Sequence, residues 1–166
     1  MVPCIQTLGH LGQMLQWPTY GILKDTSDCI LPGAQETYTL IAKMIRAVTT
    51  GLRSRRIHIG MDEAHGVSEG RYRQLFGYKD STKVFVEHLS QVNYICHQLG
   101  LKPMIWSDML FCLPAKNNAL SGYYDLNSVI PEELTSSMPD DVDLVFWESV
   151  VPSPLPPCSA SIGSLN

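Results

Sequence analysis

Arg56-Ile57-His58-Ile59-Gly60-Met61-Asp62-Glu63 is a compact apolar run that ends in two adjacent acids. In an extended strand, successive side chains point to opposite faces. His58, Gly60 and Asp62 then share one side, while Ile57, Ile59 and Met61 share the other. The second set suits packing against helices. The first makes a polar, uncrowded face that closes on an acid, and Glu63 stands at the strand's tip. Two neighbouring carboxylates repel unless one is protonated or hydrogen-bonded. Such crowding is one way a carboxyl comes to hold a proton for general acid work. From the dipeptide alone, the start of a solvated loop is the simpler reading.

Three other segments share this design: Val2–Thr7, Pro103–Ser107 and Val142–Trp147. Each is a short apolar run followed at once by polar residues, the pattern of buried parallel strands opening on a functional edge. Helical periods lie between them. Thr37–Leu52 repeats Tyr38, Ile41, Met44, Ile45 and Val48 at 3.6-residue spacing, and Ser81–Leu99 repeats Phe85, Leu89, Val92, Ile95, Cys96 and Leu99. Gly100 follows as a stop. A shorter helix is predicted within Asn127–Ser137, with Pro131 in its first turn. The order strand, helix, strand, helix, strand, helix, strand predicts parallel βαβ units, with all strand ends on one edge. Alternation alone does not separate an open sheet from a barrel.

Composition sets the limits. The chain has 166 residues, hydrophobic residues at 45% and charged residues at 17%, a mixture able to form a core as one domain. The net charge is −4, and the one basic cluster, Arg53 to Arg56, runs into an apolar strand. A nucleic-acid partner is therefore not expected. Cys4, Cys29, Cys96, Cys112 and Cys158 form no C-x-x-C pair, so free thiols are predicted rather than a disulfide framework or a zinc ribbon. No signal peptide is visible and no apolar run reaches the length of a membrane span. The expectation is a cytoplasmic protein, or one shared between nucleus and cytoplasm, with no membrane partner. The oligomeric state stays open. Residues 149–166 are rich in Pro and Ser, and are predicted to be a disordered tail.

The wider pattern decides between the readings of the acid pair. His58-Ile59-Gly60-Met61-Asp62-Glu63-Ala64-His65 closely resembles the H-x-G-x-D-E signature of glycoside hydrolase family 20. The stretches TLGHLGQML upstream, IWSDML downstream and VFWE later resemble, in order and spacing, successive strand ends of that family's (β/α)₈ barrel. Within the family, the pattern resembles the hexosaminidase D-like branch. The resemblance covers roughly residues 1–150 and implies part of a TIM barrel, with the four strands standing where the family has strands three to six.

It also implies a reaction. Family members are retaining β-N-acetylhexosaminidases that use no cofactor, and the substrate's own 2-acetamido carbonyl serves as nucleophile. Carried over by motif position, Glu63 is the general acid/base, and Asp62 holds the acetamido N–H as charge develops on it. His10, matching the family's Gly-His, is placed beside the sugar or the acid pair, or else is a structural histidine. His58 is read as structural. Trp106 with Asp108, and Trp147 with Glu148, resemble aromatic and acidic sugar contacts at strand ends. Tyr123, Tyr124 and Asp125 are weaker candidates. Trp17 is expected to pack below the first loop.

A complete (β/α)₈ barrel takes around 250 residues. The resemblance thus places a partial catalytic barrel in residues 1–148, missing strands that grip sugar hydroxyls in the family. Little or no activity is expected of this chain alone. Two alternatives remain at this stage. One is a non-catalytic carbohydrate-binding remnant. The other is a metal-dependent barrel hydrolase using His10, His58, Asp62 and His65, although no H-x-H pair supports it.

Overall fold

A computed structural model describes residues 1–113 and 132–146. Helices α1 (Gly12–Leu15), α2 (Gln35–Thr49), α3 (Arg71–Phe76), α4 (Ser81–Gln98), α5 (Asp108–Cys112) and α6 (Glu132–Ser137) alternate with strands β1 (Arg56–His58), β2 (Lys102–Trp106) and β3 (Asp143–Val145). A 3₁₀ turn covers Pro18–Leu23. The strands form one parallel sheet in the order β1-β2-β3, with Ile57 opposite Pro103 and Ile105 opposite Leu144. The chain is thus α/β with a small parallel sheet.

The expected fourth strand, Val2–Thr7, does not form as a strand. It meets β1 through a single parallel bridge, Cys4 to His58. His58 donates its amide to the Pro3 carbonyl at 2.8 Å, and Ile5 donates to His58 at 2.9 Å. Pro3 has no N–H to extend the ladder. At the other end, the Thr7 hydroxyl takes the Ile59 carbonyl at 2.8 Å. A side chain, not the backbone, thus makes the next contact to the chain beyond β1.

The two long helices form as their periodicity predicts. In α2, Ile41 and Ile45 are fully buried; in α4, Phe85, Leu89, Val92 and Cys96 are. Asp80 caps α4 by accepting the Lys83 amide. At its other end, Gly100 donates to His97 and Leu101 to Cys96, the paired bonds of a Schellman stop. Helix α4 packs between α2 and β2, joining its apolar face to Ile57, Ile59 and Ile105 in one buried cluster. Burying each such side chain contributes on the order of 1.5–3 kcal/mol. At the opposite end of the sheet, Asp143 is paired with Lys102 at 2.6 Å and with Arg56, linking all three strands. Burial raises its affinity for a proton, but the two cations outweigh that and hold the carboxyl below the usual range.

The predicted helix within Asn127–Ser137 is seen from Glu132 onward, and its earlier residues lie outside those described. So do Trp147, Glu148 and the whole 149–166 segment. Trp17 is 61% exposed rather than packed, because the 3₁₀ turn that starts at Pro18 leads the chain away. Among the described residues no helix is long and apolar enough to cross a membrane.

One buried polar side chain ties α4 to the floor of the acid turn. His88 is wholly enclosed, and its Nε2–H donates to the Thr7 carbonyl at 2.9 Å. Its Nδ1 has no partner among the described residues. Burial pushes its pKa down to about 4, against a weaker upward pull from the Thr7 carbonyl. The unfolded chain therefore binds a proton that the folded chain refuses between pH 6.5 and pH 4. The stabilisation from neutral His88 is complete above pH 6.5 and is lost as pH falls toward 4, amounting to about 3 kcal/mol. Urea unfolding at pH 7 and pH 4.5 is expected to show this loss in the wild type and a much smaller one in His88→Gln. Asp25 and Asp108, whose buried carboxyls are raised, act with the opposite sign. The difference between the two proteins isolates the histidine. Equal pH dependence would show that His88 is not the acid-sensitive group.

Candidate active site

Beyond His58 the strand geometry breaks. Gly60 has φ +71°, Met61 +72° and Glu63 +47°. Glycine enters this left-handed region freely, but methionine and glutamate do so at an energetic penalty. The extended alternation predicted through Asp62 therefore stops at Gly60, and a turn delivers the acids instead. The burial split holds only in part: Ile57, Ile59 and Met61 are fully enclosed and the Asp62 and Glu63 side chains stay 15% and 24% exposed, but His58 and Gly60, on the same side as Asp62, are buried as well. His10 also has a positive φ, +55°. Among the described residues, three of the four non-glycine residues in this strained region therefore meet at one place. Such strain persists only where surroundings enforce it, and it gathers at working sites.

Those surroundings can be named. Gly9 lies against the acid turn so closely that an added Cβ would stand 2.8 Å from the Asp62 carbonyl oxygen. His10 follows, and its Nε2 lies 3.3 Å from Asp62 Oδ2 and 3.2 Å from Glu63 Oε2. The Asp28 carboxylate fixes the His10 backbone by accepting its amide at 2.8 Å, and accepts that of Gly12 at 3.3 Å. The Gln6 side chain donates to Asp62 Oδ1 at 2.8 Å and accepts the Met61 amide at 3.2 Å. Asp108 accepts the Glu63 amide at 3.0 Å. It has no exposed surface, and its second oxygen has no partner among the described residues. Burial pushes the Asp108 carboxyl above the usual range, the Glu63 amide works against this, and the charge of Asp62 adds to it.

His58 is buried, and its Nδ1 accepts the Gly60 amide at 3.1 Å. Burial lowers its pKa, partly offset by Asp62. Its ring lies 4.4 Å from that of Trp106, which is half-buried. Of the residues expected from sequence, the structure thus brings together His10, Asp62, Glu63 and Asp108, with His58 and Trp106 alongside. Trp147, Glu148, Tyr123, Tyr124 and Asp125 lie outside the described residues. Gln6 and Asp28 are additions that the sequence pattern did not single out. His65 is exposed. Among the described residues no three His, Cys, Asp or Glu side chains are grouped to hold a metal ion.

The two acids differ in what they can do. Asp62 is held as an acceptor, with an amide donor on one oxygen and His10 near the other. Glu63 has its backbone fixed from below, while its carboxyl lies 3.2 Å from the His10 side chain and its charge reaches the Cys112 thiol. One acid is suited to orient and balance charge, the other to give and take a proton. A cleft of about 580 Å³, lined by Gly33, Tyr38, Tyr72, Glu87 and His88 among others, includes neither acid.

No protein-family model matches the chain. Human hexosaminidase D is 28% identical over 147 residues, spanning 83% of this chain and 30% of the human protein. Among solved structures, the β-N-acetylhexosaminidase from Bacteroides fragilis NCTC 9343 superimposes with a TM-score of 0.59 at 18% identity, covering 88% of this chain and 27% of that one. The family 20 exo-β-N-acetylglucosaminidase from Vibrio harveyi, in complex with N-acetylglucosamine, gives a TM-score of 0.60 at 18% identity and covers 89% and 22%. The chain resembles hexosaminidase D in sequence and part of these family 20 enzymes in fold, and it spans less than a third of the length of each of the three.

Proposed function

We propose that this chain carries the acid pair of a retaining β-N-acetylhexosaminidase, acting on terminal β-linked N-acetylglucosamine or N-acetylgalactosamine of glycans or glycoconjugates. The observation that carries this reading is the division of labour between Asp62 and Glu63 on one strained turn, with His10 in reach of both. In the proposed reaction Glu63 gives its proton to the glycosidic oxygen as the C1–O bond breaks. The substrate's acetamido oxygen closes on C1, forming an oxazolinium ring with retention still to come. Asp62 accepts the acetamido N–H and balances the positive charge. Glu63, now a carboxylate, takes a proton from water as that water attacks C1 and reopens the ring. Atoms and charge balance without a cofactor.

The Val2–Thr7 segment, the three-stranded sheet and the helices between them are read as standing where a (β/α)₈ barrel has strands three to six, within residues 1–148. Trp106, beside His58, and Trp147 would pack on the sugar's C–H face. Asp108 was expected there too, but its full burial favours a place beneath Glu63.

This 166-residue chain spans 30% of human hexosaminidase D, so few of the groups that would close off water and hold sugar hydroxyls accompany the acids. The 166-residue chain is therefore expected to release 4-nitrophenol from the N-acetyl-β-glucosaminide or galactosaminide slowly, roughly 100-fold or more below human hexosaminidase D assayed alongside. The product formed should keep the β configuration by proton NMR. Rates equal to the human enzyme would overturn the expectation of weak activity. Inversion would overturn the mechanism. The short coverage of the relatives also favours a second reading, a sugar-binding remnant. Sugar binding without turnover, unchanged in Glu63→Gln, would establish it.

A further inference from the structure

Gln6 is half-buried in the segment that bridges to β1, and its side chain lies across the turn that carries the acids. Its amide uses both ends: Nε2 donates to Asp62 Oδ1 at 2.8 Å, and Oε1 accepts the Met61 amide at 3.2 Å. This fixes which end is nitrogen. The flipped amide would set oxygen against carboxylate and N–H against N–H. A carboxylate held from one oxygen by a donor anchored to its own neighbour's backbone loses its freedom to rotate.

The space for this contact comes from Gly60. A Cβ there would lie 2.0 Å from Gln6 Oε1, 2.6 Å from Gln6 Cδ and 2.9 Å from the Ile5 carbonyl oxygen. The first two contacts would evict the Gln6 side chain, and the third is with backbone that has no rotamer to escape into. The glycine is thus required twice, for its φ of +71° and for the amide that rests on it.

We propose that Gln6 is a positioning residue for Asp62, holding the carboxylate in the one orientation from which it meets a substrate's acetamido N–H, through a seat that only Gly60 leaves open. This rests on the reading of Asp62 given above, and its test separates the two. The first arm needs no turnover. In ¹⁵N-labelled chain, the side-chain amide resonances of Gln6, assigned by their loss in Gln6→Met, are expected to shift in Asp62→Asn and in Gly60→Ala. Indifference of those resonances to Asp62→Asn would overturn the clamp.

The second arm is kinetic. On the 4-nitrophenyl N-acetyl-β-glucosaminide, Gln6→Met is expected to lower kcat roughly 10- to 100-fold with KM little changed. Gln6→Glu, which sets oxygen against oxygen, should lose at least as much. Neither should add a further loss on top of Asp62→Asn, since both act through that carboxylate. Multiplying losses, or a change confined to KM, would overturn the proposal. If the amide arm holds while wild-type chain releases no product, the glycosidase reading fails and the clamp stands.

Discussion

Glu63→Gln is expected to lower hydrolysis of N-acetyl-β-hexosaminides by about 10²- to 10⁴-fold, the range that positioned acid–base groups supply. The variant is nearly isosteric, so the loss is chemical. The Glu63 amide still donates to Asp108, and the turn at φ +47° keeps its anchor. Glutamine cannot give a proton to the departing oxygen, and it cannot take one from water when the ring reopens. The two steps respond differently to the aglycone. A 4-nitrophenolate departs with little protonation, whereas an alkoxide needs nearly a full proton transfer. The loss should therefore be smallest for 4-nitrophenyl, larger for a methyl or sugar aglycone, and near background for the latter. Measuring kcat/KM for wild type and Glu63→Gln across such a series checks this. A uniform loss across leaving groups would assign Glu63 to binding instead, and unchanged rates would remove it from the mechanism.

The reasons for what the sequence made legible lie in particular residues. Asp62, Glu63 and His10 were readable because their neighbours in the chain form motifs, and the structure places the His10 ring within 3.3 Å of both carboxylates. The long helices were readable because 3.6-residue spacing reports a buried face directly, as Ile41 to Ile45 and Phe85 to Leu89 show. What escaped was set by tertiary contact. Gln6 is one polar residue in an apolar run, and nothing in the run says that its amide will cross to residues 61 and 62, some fifty-five positions away. Asp28 is equally silent in sequence, yet it orients His10. The alternation rule failed at Gly60 because it assumes continued extension, and three positive φ values end that. Val2–Thr7 looked like a strand, but a proline at one end and the Thr7 hydroxyl at the other reduce it to a bridge. The short helices α1, α3 and α5 lack two full turns, too little for a period to register.

The reading of Asp62 leads to the other large effect. Asp62→Asn is expected to reduce kcat by about 10²- to 10³-fold, the loss typical when one preorganised partner of developing charge is removed. The substitution keeps the side chain's shape and a possible acceptor oxygen, so ground-state binding should change less than kcat. Two things are lost. The negative charge that balances the oxazolinium ring is gone. In addition, the Gln6 donor at 2.8 Å must now face either a carbonyl or an NH₂ group, so one arm of the clamp weakens whichever way asparagine turns. The size of the loss should follow the acetamido group itself. With an N-trifluoroacetyl substrate the amide is a poor nucleophile and less positive charge forms on it, so wild type should fall steeply and the gap to Asp62→Asn should narrow. A general loss of folding would lower both substrates alike. An inhibitor shaped like the oxazoline, such as a fused thiazoline of N-acetylglucosamine, should lose affinity in Asp62→Asn by a factor near the kcat loss. N-acetylglucosamine itself should lose little, because only the ring-closed form carries the charge that Asp62 is positioned to meet.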